Sequence, residues 1–179
     1  MNDPDFYVDS RDLEHIRRAW DAYPAQWDKA LRSTILKAAR WLQVRARRGL
    51  SSELQVQQKA LRVRLKAMKV KKTSTGIQSG VWAGINPLSL QYLQPKQGGA
   101  GVSTRPTGLV KGAFIPGHDK GRPVFKRTSA ARLPIEKQTY DITKKAVKAI
   151  DRRVFDEAEL NKFFLKTLES ELKWRTSKP

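Results

Sequence analysis

The sequence predicts an α+β fold: N-terminal helices, a small antiparallel sheet with a β-hairpin, and two C-terminal helices. Three observations carry that expectation. Trp27, Leu31, Ile35, Ala38 and Leu42 recur at steps of four, four, three and four, the stride of an amphipathic helix. Leu160, Phe164, Leu168 and Leu172 repeat every four residues near the other end of the chain. Between them, GAFIPGHDKGRPVFKR (residues 112–127) holds two apolar-rich runs, one ending in Phe114 and Ile115, the other containing Val124 and Phe125. They are joined by Pro116, Gly117, His118, Asp119, Lys120 and Gly121, which is turn chemistry between strand-forming flanks.

Taken in order, Asp9 or Ser10 is suited to cap a first helix, with Asp12 and Glu14 at its dipole-favoured start and Leu13, Ile16 and Trp20 on its apolar face. Pro24 marks a kink or the first residue of a second helix, which Gly49 is placed to end as a C-cap. Trp20 and Trp27 read as core residues, whereas Trp41 falls off the stripe and is a candidate for exposure. Ser52 and Gln55 have capping-box spacing and predict another helix running at least to Ala60.

Residues 61–71 fit two patterns. Leu61-Arg62-Val63-Arg64-Leu65-Lys66-Ala67 alternates like a strand, yet Leu61, Leu65 and Met68 also suit a helix. Thr75–Ala83 predicts a strand with Ile77, Ser79, Val81 and Ala83 on one face, and Leu88–Tyr92 an extended run after the Asn86-Pro87 turn. Gln94–Pro106, rich in Gly and Pro, predicts a flexible loop. Leu109–Ile115 and Arg122–Arg127 form the hairpin, followed by extended Leu133-Pro134-Ile135. Phe114, Ile115, Val124, Phe125, Leu133 and Ile135 are its expected core. A helix near Asp141 carries Ile142, Ala146, Ile150 and Val154, and a capping box at Asp156 and Glu159 opens the last helix. No internal repeat is visible. The expected organisation is an acidic extension at residues 1–24, one domain at 25–175 and a tail at 176–179.

The 179 residues suffice for one domain with a core, and 39% apolar with 30% charged residues is a soluble globular composition. No apolar run approaches the roughly 18 residues of a membrane span. The acidic MNDPDFYVDS start has no hydrophobic region of the signal-peptide kind. Cysteine is absent, which removes disulfides and thiolate chemistry and fits a cytoplasmic origin. The net charge of +19 is unevenly spread. Residues 1–30 carry seven acids and four bases, whereas residues 31–76 carry thirteen bases and one acid, Glu53. Such a block implies a polyanionic neighbour: nucleic acid, an acidic protein surface or anionic lipid.

No catalytic constellation accompanies it. His15 and His118 are the two histidines, and neither has a second ligand at metal spacing. Asp156, Glu157 and Glu159 are explained by capping, and Gly98-Gly99-Ala100-Gly101 lacks a phosphate-loop lysine. The reading is non-enzymatic, with no cofactor and no metal.

The order of parts is distinctive. Two N-terminal helices precede the basic Leu61–Ala67 segment and a strand. Asn86-Pro87-Leu88-Ser89-Leu90, a Gly-rich loop, Gly112-Ala113-Phe114-Ile115, a turn, Val124-Phe125-Lys126-Arg127, Arg132-Leu133-Pro134-Ile135 and two helices follow. This resembles the minor tail protein Z family, tail completion proteins of lambda-like long-tailed phages, over roughly residues 25–175. Gly112–Ile115 and Arg132–Ile135 at their mutual spacing are the most specific parts. The resemblance implies a virion structural protein at the head-proximal end of the tail, made in the host cytoplasm, which helps join head to tail and place the genome end. It implies a homo-oligomeric ring contacting a tail terminator, tape measure or tube protein, with no membrane partner. The family carries no catalytic residues. In that setting Arg62, Arg64, Lys66, Lys69, Lys71 and Lys72 are the candidate DNA-facing residues, contacting phosphates and reading no bases. As a strand the segment puts Arg62, Arg64 and Lys66 on one face; as a helix, Arg62, Lys66 and Lys69. The alternatives are a related head–tail connector or neck subunit, and a free-standing basic nucleic-acid-binding protein.

Overall fold

Proline at the first position of a helix forfeits no hydrogen bond, and in the computed structural model Pro24 opens the longest helix, α2 (Pro24–Leu54). Residues 10–21, 23–73, 76–118, 121–151 and 156–177 are described. Helix α1 (Ser10–Ala19) precedes α2, and α3 (Gln58–Arg62), α4 (Thr143–Asp151) and α5 (Glu157–Thr176) follow. Short strands fill the middle of the chain, giving the α+β fold that the sequence predicts. Asp9 and Val154, assigned above to a cap and a helix face, lie outside the described residues, as do Asp119 and Lys120 of the hairpin turn and the side chain of His118.

The chain divides into two compact units. The first comprises Met1–Ala46, Leu65–Trp82 and Arg153–Pro179; the second comprises Arg47–Arg64 and Ala83–Arg152. In the first unit, Leu13, Ile16 and Trp20 of α1 pack on the same core as α2. That core is made by Ala30, Ala38, Leu160, Phe164, Leu168 and Leu172. Leu168 and Leu172 are 0% exposed. Burying each contributes about 1.5–3 kcal/mol. Trp20 and Trp27 pack against this cluster as expected. Trp41 does too, although it lies off the stripe: it is half-buried and stacked on Phe163, centroids 5.3 Å apart and planes 21° from parallel. A second helix arriving alongside widens the buried arc of α2 beyond its own apolar stripe.

Strand β1 (Leu65–Ala67) pairs with β4 (Val81–Ala83), and β2 (Lys71–Thr73) with β3 (Gly76–Gln78). Of the predicted strand Thr75–Ala83, Thr75 lies outside the described residues, and the rest is two strands separated by Ser79 and Gly80. The ambiguous 61–71 segment also splits: helix to Arg62, a turn at Val63 and Arg64, then β1.

In the second unit α2 runs through Gly49 to Leu54, so Gly49 is no C-cap. Ala46, Leu50 and Leu54, all buried, continue the four-residue stride, and that burial outweighs the roughly 1 kcal/mol cost of a helical glycine. The Ser52–Gln55 pair starts no helix: Ser52 lies in the last turn of α2, and Gln55, at φ +53°, follows its end. Helix α3 begins later, at Gln58. Leu88–Tyr92 is only briefly extended, as β5 (Leu88–Ser89), before a 3-10 turn over Leu90–Leu93. The region predicted as a flexible loop contains β6 (Lys96–Gly98) and β7 (Gly101–Thr104), which with β8 (Gly108–Lys111) form an antiparallel meander.

The hairpin is present. Strands β9 (Ala113–Phe114) and β10 (Phe125–Arg127) pair antiparallel, with Phe125 opposite Phe114. Strand β11 (Ile135–Lys137) adds to the other side of β10, and β12 (Thr139–Tyr140) pairs with β5. The Leu133–Pro134 peptide is cis. Val124 and Ile115 are buried, while Phe114 and Phe125 are half-buried with ring centroids 6.4 Å apart. Leu133 and Ile135 do not belong to the core, being 66% and 36% exposed. They lie in and before the edge strand β11, all three of whose residues are exposed. At α4, the Thr143 amide donates to Asp141 (2.8 Å). At α5, Asp156 is the N-cap, as expected, but it accepts from the Ala158 amide at 2.9 Å, and Glu159, the other half of the expected box, pairs with Arg45 instead.

Candidate basic surface

Two bonds fix the register of β1 on β4. The Met68 amide donates to Gly80 O and the Gly84 amide to Arg64 O, each at 2.8 Å. Antiparallel pairing then sets Lys66 directly opposite Trp82. Both side chains are exposed, Trp82 by 52%. A cation beside an open indole on one strand face suits contact with a polyanion that also carries flat rings. Trp82 is not among the tryptophans that the sequence singles out. The signal is there: if Val81 and Ala83 share a face, Trp82 points the other way.

The six candidate cations are divided between the two units. Arg62 is exposed at the end of α3, and Arg64 sits in the following turn, both in the second unit. Arg64 is spent on structure: its guanidinium donates to the carbonyls of Asn86 (2.6 Å), Pro87 (3.1 Å) and Gly84 (3.5 Å). A half-buried guanidinium held by three carbonyls is a staple for the 84–87 turn, not a group offered to a ligand. Lys66, Lys69, Lys71 and Lys72 are exposed in the first unit. Lys71 opposes Gln78 and Lys72 opposes Ile77, so as neighbours on β2 they project from opposite faces.

Two arginines that the sequence does not single out join Lys69. A cleft of about 470 Å³ lies between α2 and residues 67–70. Arg32, Leu36 and Arg40 line it from α2, and Met68, Lys69 and Val70 from the strand side. Positions 32, 36 and 40 are a helical ridge, legible only once the facing segment is known. Among the described residues no partner pairs with Arg32, Arg40 or Lys69.

Among the described residues of the first unit, Glu14, Glu159 and Glu171 pair with cations. Glu171, 9% exposed, takes Lys37 on Oε1 and Arg175 on Oε2, the latter at 2.9 Å. Burial pushes its carboxyl pKa up, but hydrogen bonds from Lys37, Ser33 and Arg175 prevail and hold it below the ordinary value. Arg45 pairs with Glu159 and also lies over the Trp41 ring, 4.3 Å from its centroid. Glu14 and Arg18 form an exposed pair at 3.8 Å. Among the described residues no three His, Asp or Glu side chains converge as metal ligands would, and no helix is long and apolar enough to cross a membrane. Comparison of the chain with protein-family models, curated proteins and solved structures finds no match.

Proposed function

We propose that the chain is a non-enzymatic structural protein of a long-tailed phage virion, a tail completion protein at the head-proximal end of the tail. It helps join head to tail and place the genome end. The observation that carries this reading is the sequence order: the basic segment ending in Lys66 and Ala67, then Gly112–Ile115 and Arg132–Ile135 at their mutual spacing, bracketed by helices. The exposed lysines at 66, 69, 71 and 72 support a polyanion as one neighbour. The other neighbours are copies of the chain in a ring and a tail terminator, tape measure or tube protein. Mass measurement on purified virions tests the reading. A small fixed copy number is expected, and absence from virions removes it.

The Lys66–Trp82 pair favours a second reading, a free-standing nucleic-acid-binding protein. The two diverge in a triple variant, Lys66, Lys71 and Lys72 to Gln. If these lysines neutralise phosphates, the slope of log affinity against log salt flattens by about 0.9 for each phosphate left unneutralised. Tails that assemble but fail to hold DNA place that interaction inside the virion. Unchanged DNA binding without tail joining makes the lysines a protein–protein surface.

A further inference from the structure

A chain carrying +19 repels its own copies. Assembly of such copies needs an acidic element to set against the basic ones, and the sequence contains one. Residues 1–30 are the net-negative stretch, and within residues 2–9, NDPDFYVD, Asp3, Asp5 and Asp9 surround Phe6, Tyr7 and Val8 with no base among them. The cleft on α2 has the opposite character. Arg32, Arg40 and Lys69 are its cations, unpaired among the described residues, and Leu36, Met68 and Val70 are its apolar lining. Met68 is 41% exposed, an open and adaptable apolar surface.

We propose that this cleft is the docking site for the acidic segment 2–9 of a second copy of the chain, an inference that rests on the ring assembly above. Its composition argues for a peptide over a nucleic acid backbone. Phosphates satisfy the three cations but leave Leu36, Met68 and Val70 uncovered, and among the described residues no aromatic ring lines the cleft for a base to stack on. An acidic segment with contiguous Phe, Tyr and Val supplies both complements: carboxylates for the cations and apolar side chains for the floor. The contact is head-to-tail, joining one surface of a copy to a different element of the next, which is the kind of contact that closes a ring. It also leaves Lys66, Lys71 and Lys72 outside the cleft and free for a polyanion.

Charge reversal on the full-length chain tests this in solution, without virions, so its failure is separable from failure of the virion reading. Sedimentation should show parent copies associating, with the association weakened by raised salt. Arg32→Glu with Arg40→Glu, and separately Asp3→Lys with Asp5→Lys, should each weaken association by about tenfold or more. Mixing the two variants one to one should restore it, because each then offers what the other lacks. The same mixture guards against misfolding, since an unfolded variant rescues nothing; as a further check, the free peptide NDPDFYVD should compete with association of the parent. The proposal is overturned if the parent sediments as a monomer at every concentration. It is equally overturned if the arginine reversals leave association intact and abolish binding of duplex DNA instead.

Discussion

The helical core of the first unit and the strand meander of the second are built by different means. In the core, Leu160, Phe164, Leu168 and Leu172 of α5 pack with Ala30 and Ala38 of α2, so side-chain volume sets the spacing. In the meander, β6, β7 and β8 are three or four residues long, and main-chain approach sets the spacing. Gly101 has φ +149°, and a Cβ there would lie 2.2 Å from the Val110 carbonyl oxygen. Gln97 ties this region inward, its Nε2 reaching Gly98 O and Gly101 O and its Oε1 accepting from the Ile115 amide at 2.8 Å. One region therefore depends on what its side chains fill, the other on what its glycines leave empty.

The sharpest way to break that contrast is to add a methyl group in one region and remove carbon from the other. Gly101→Ala should cost about 4 kcal/mol or more, because the obstructing atom is backbone and the φ is unfavourable for any L side chain. Chemical denaturation checks it, and a variant as stable as the parent would show that β7 and β8 do not approach this closely. Leu168→Ala, at a position 0% exposed, should cost about 2–5 kcal/mol. A loss under about 1 kcal/mol would mean that the two helices close over the gap.

This contrast also sorts what is legible in the sequence. The four-residue strides of α2 and α5 and the Asp156 cap are local signals with a fixed period, and the structure has them. The meander reads as a flexible loop because glycine marks freedom in one dimension and close approach in three. Gly49 and the Ser52–Gln55 pair mislead for a related reason: end signals are weak beside the burial of Ala46, Leu50 and Leu54. At the basic surface the lysines are visible as a run. That Arg64 is consumed by the 84–87 carbonyls, and that Arg32 and Arg40 face Lys69, depends on which distant segment folds back. No periodicity records that.

Smaller effects refine the comparison. Phe125 belongs to the second unit yet behaves partly like a core residue, half-buried beside Phe114. Phe125→Ala should cost about 1.5–3 kcal/mol, below the roughly 3–5 kcal/mol of a fully buried phenylalanine. Thermal unfolding checks this, and a cost at the upper range would mean that this strand is covered more fully. In the first unit, Glu171→Gln keeps the shape and removes the charge facing Lys37 and Arg175, at a cost of about 1–2 kcal/mol at neutral pH. Because the folded pKa of Glu171 lies below its ordinary 4.5, its contribution is complete above that value and is lost as pH falls through the folded one. The gap in stability between parent and variant should therefore close in acid. A gap that persists at low pH assigns the effect to packing and not to charge.

The smallest expected effect concerns Leu133, inside the tetrapeptide that carries much of the family resemblance. Its side chain is 66% exposed, and the segment is held through backbone: the Thr128 amide and hydroxyl both donate to Pro134 O at 3.3 Å, and Ile135 pairs with Arg127. Leu133→Ser should therefore change the stability of the isolated chain by no more than about 0.5 kcal/mol. A loss of several kcal/mol would return Leu133 to the core and erase the distinction between this edge and the buried Val124 beside β10. The informative pairing is with assembly. If the chain is the tail completion protein proposed above, a variant of unchanged stability whose tails no longer join heads would mean that the exposed leucine is covered by a neighbour on assembly.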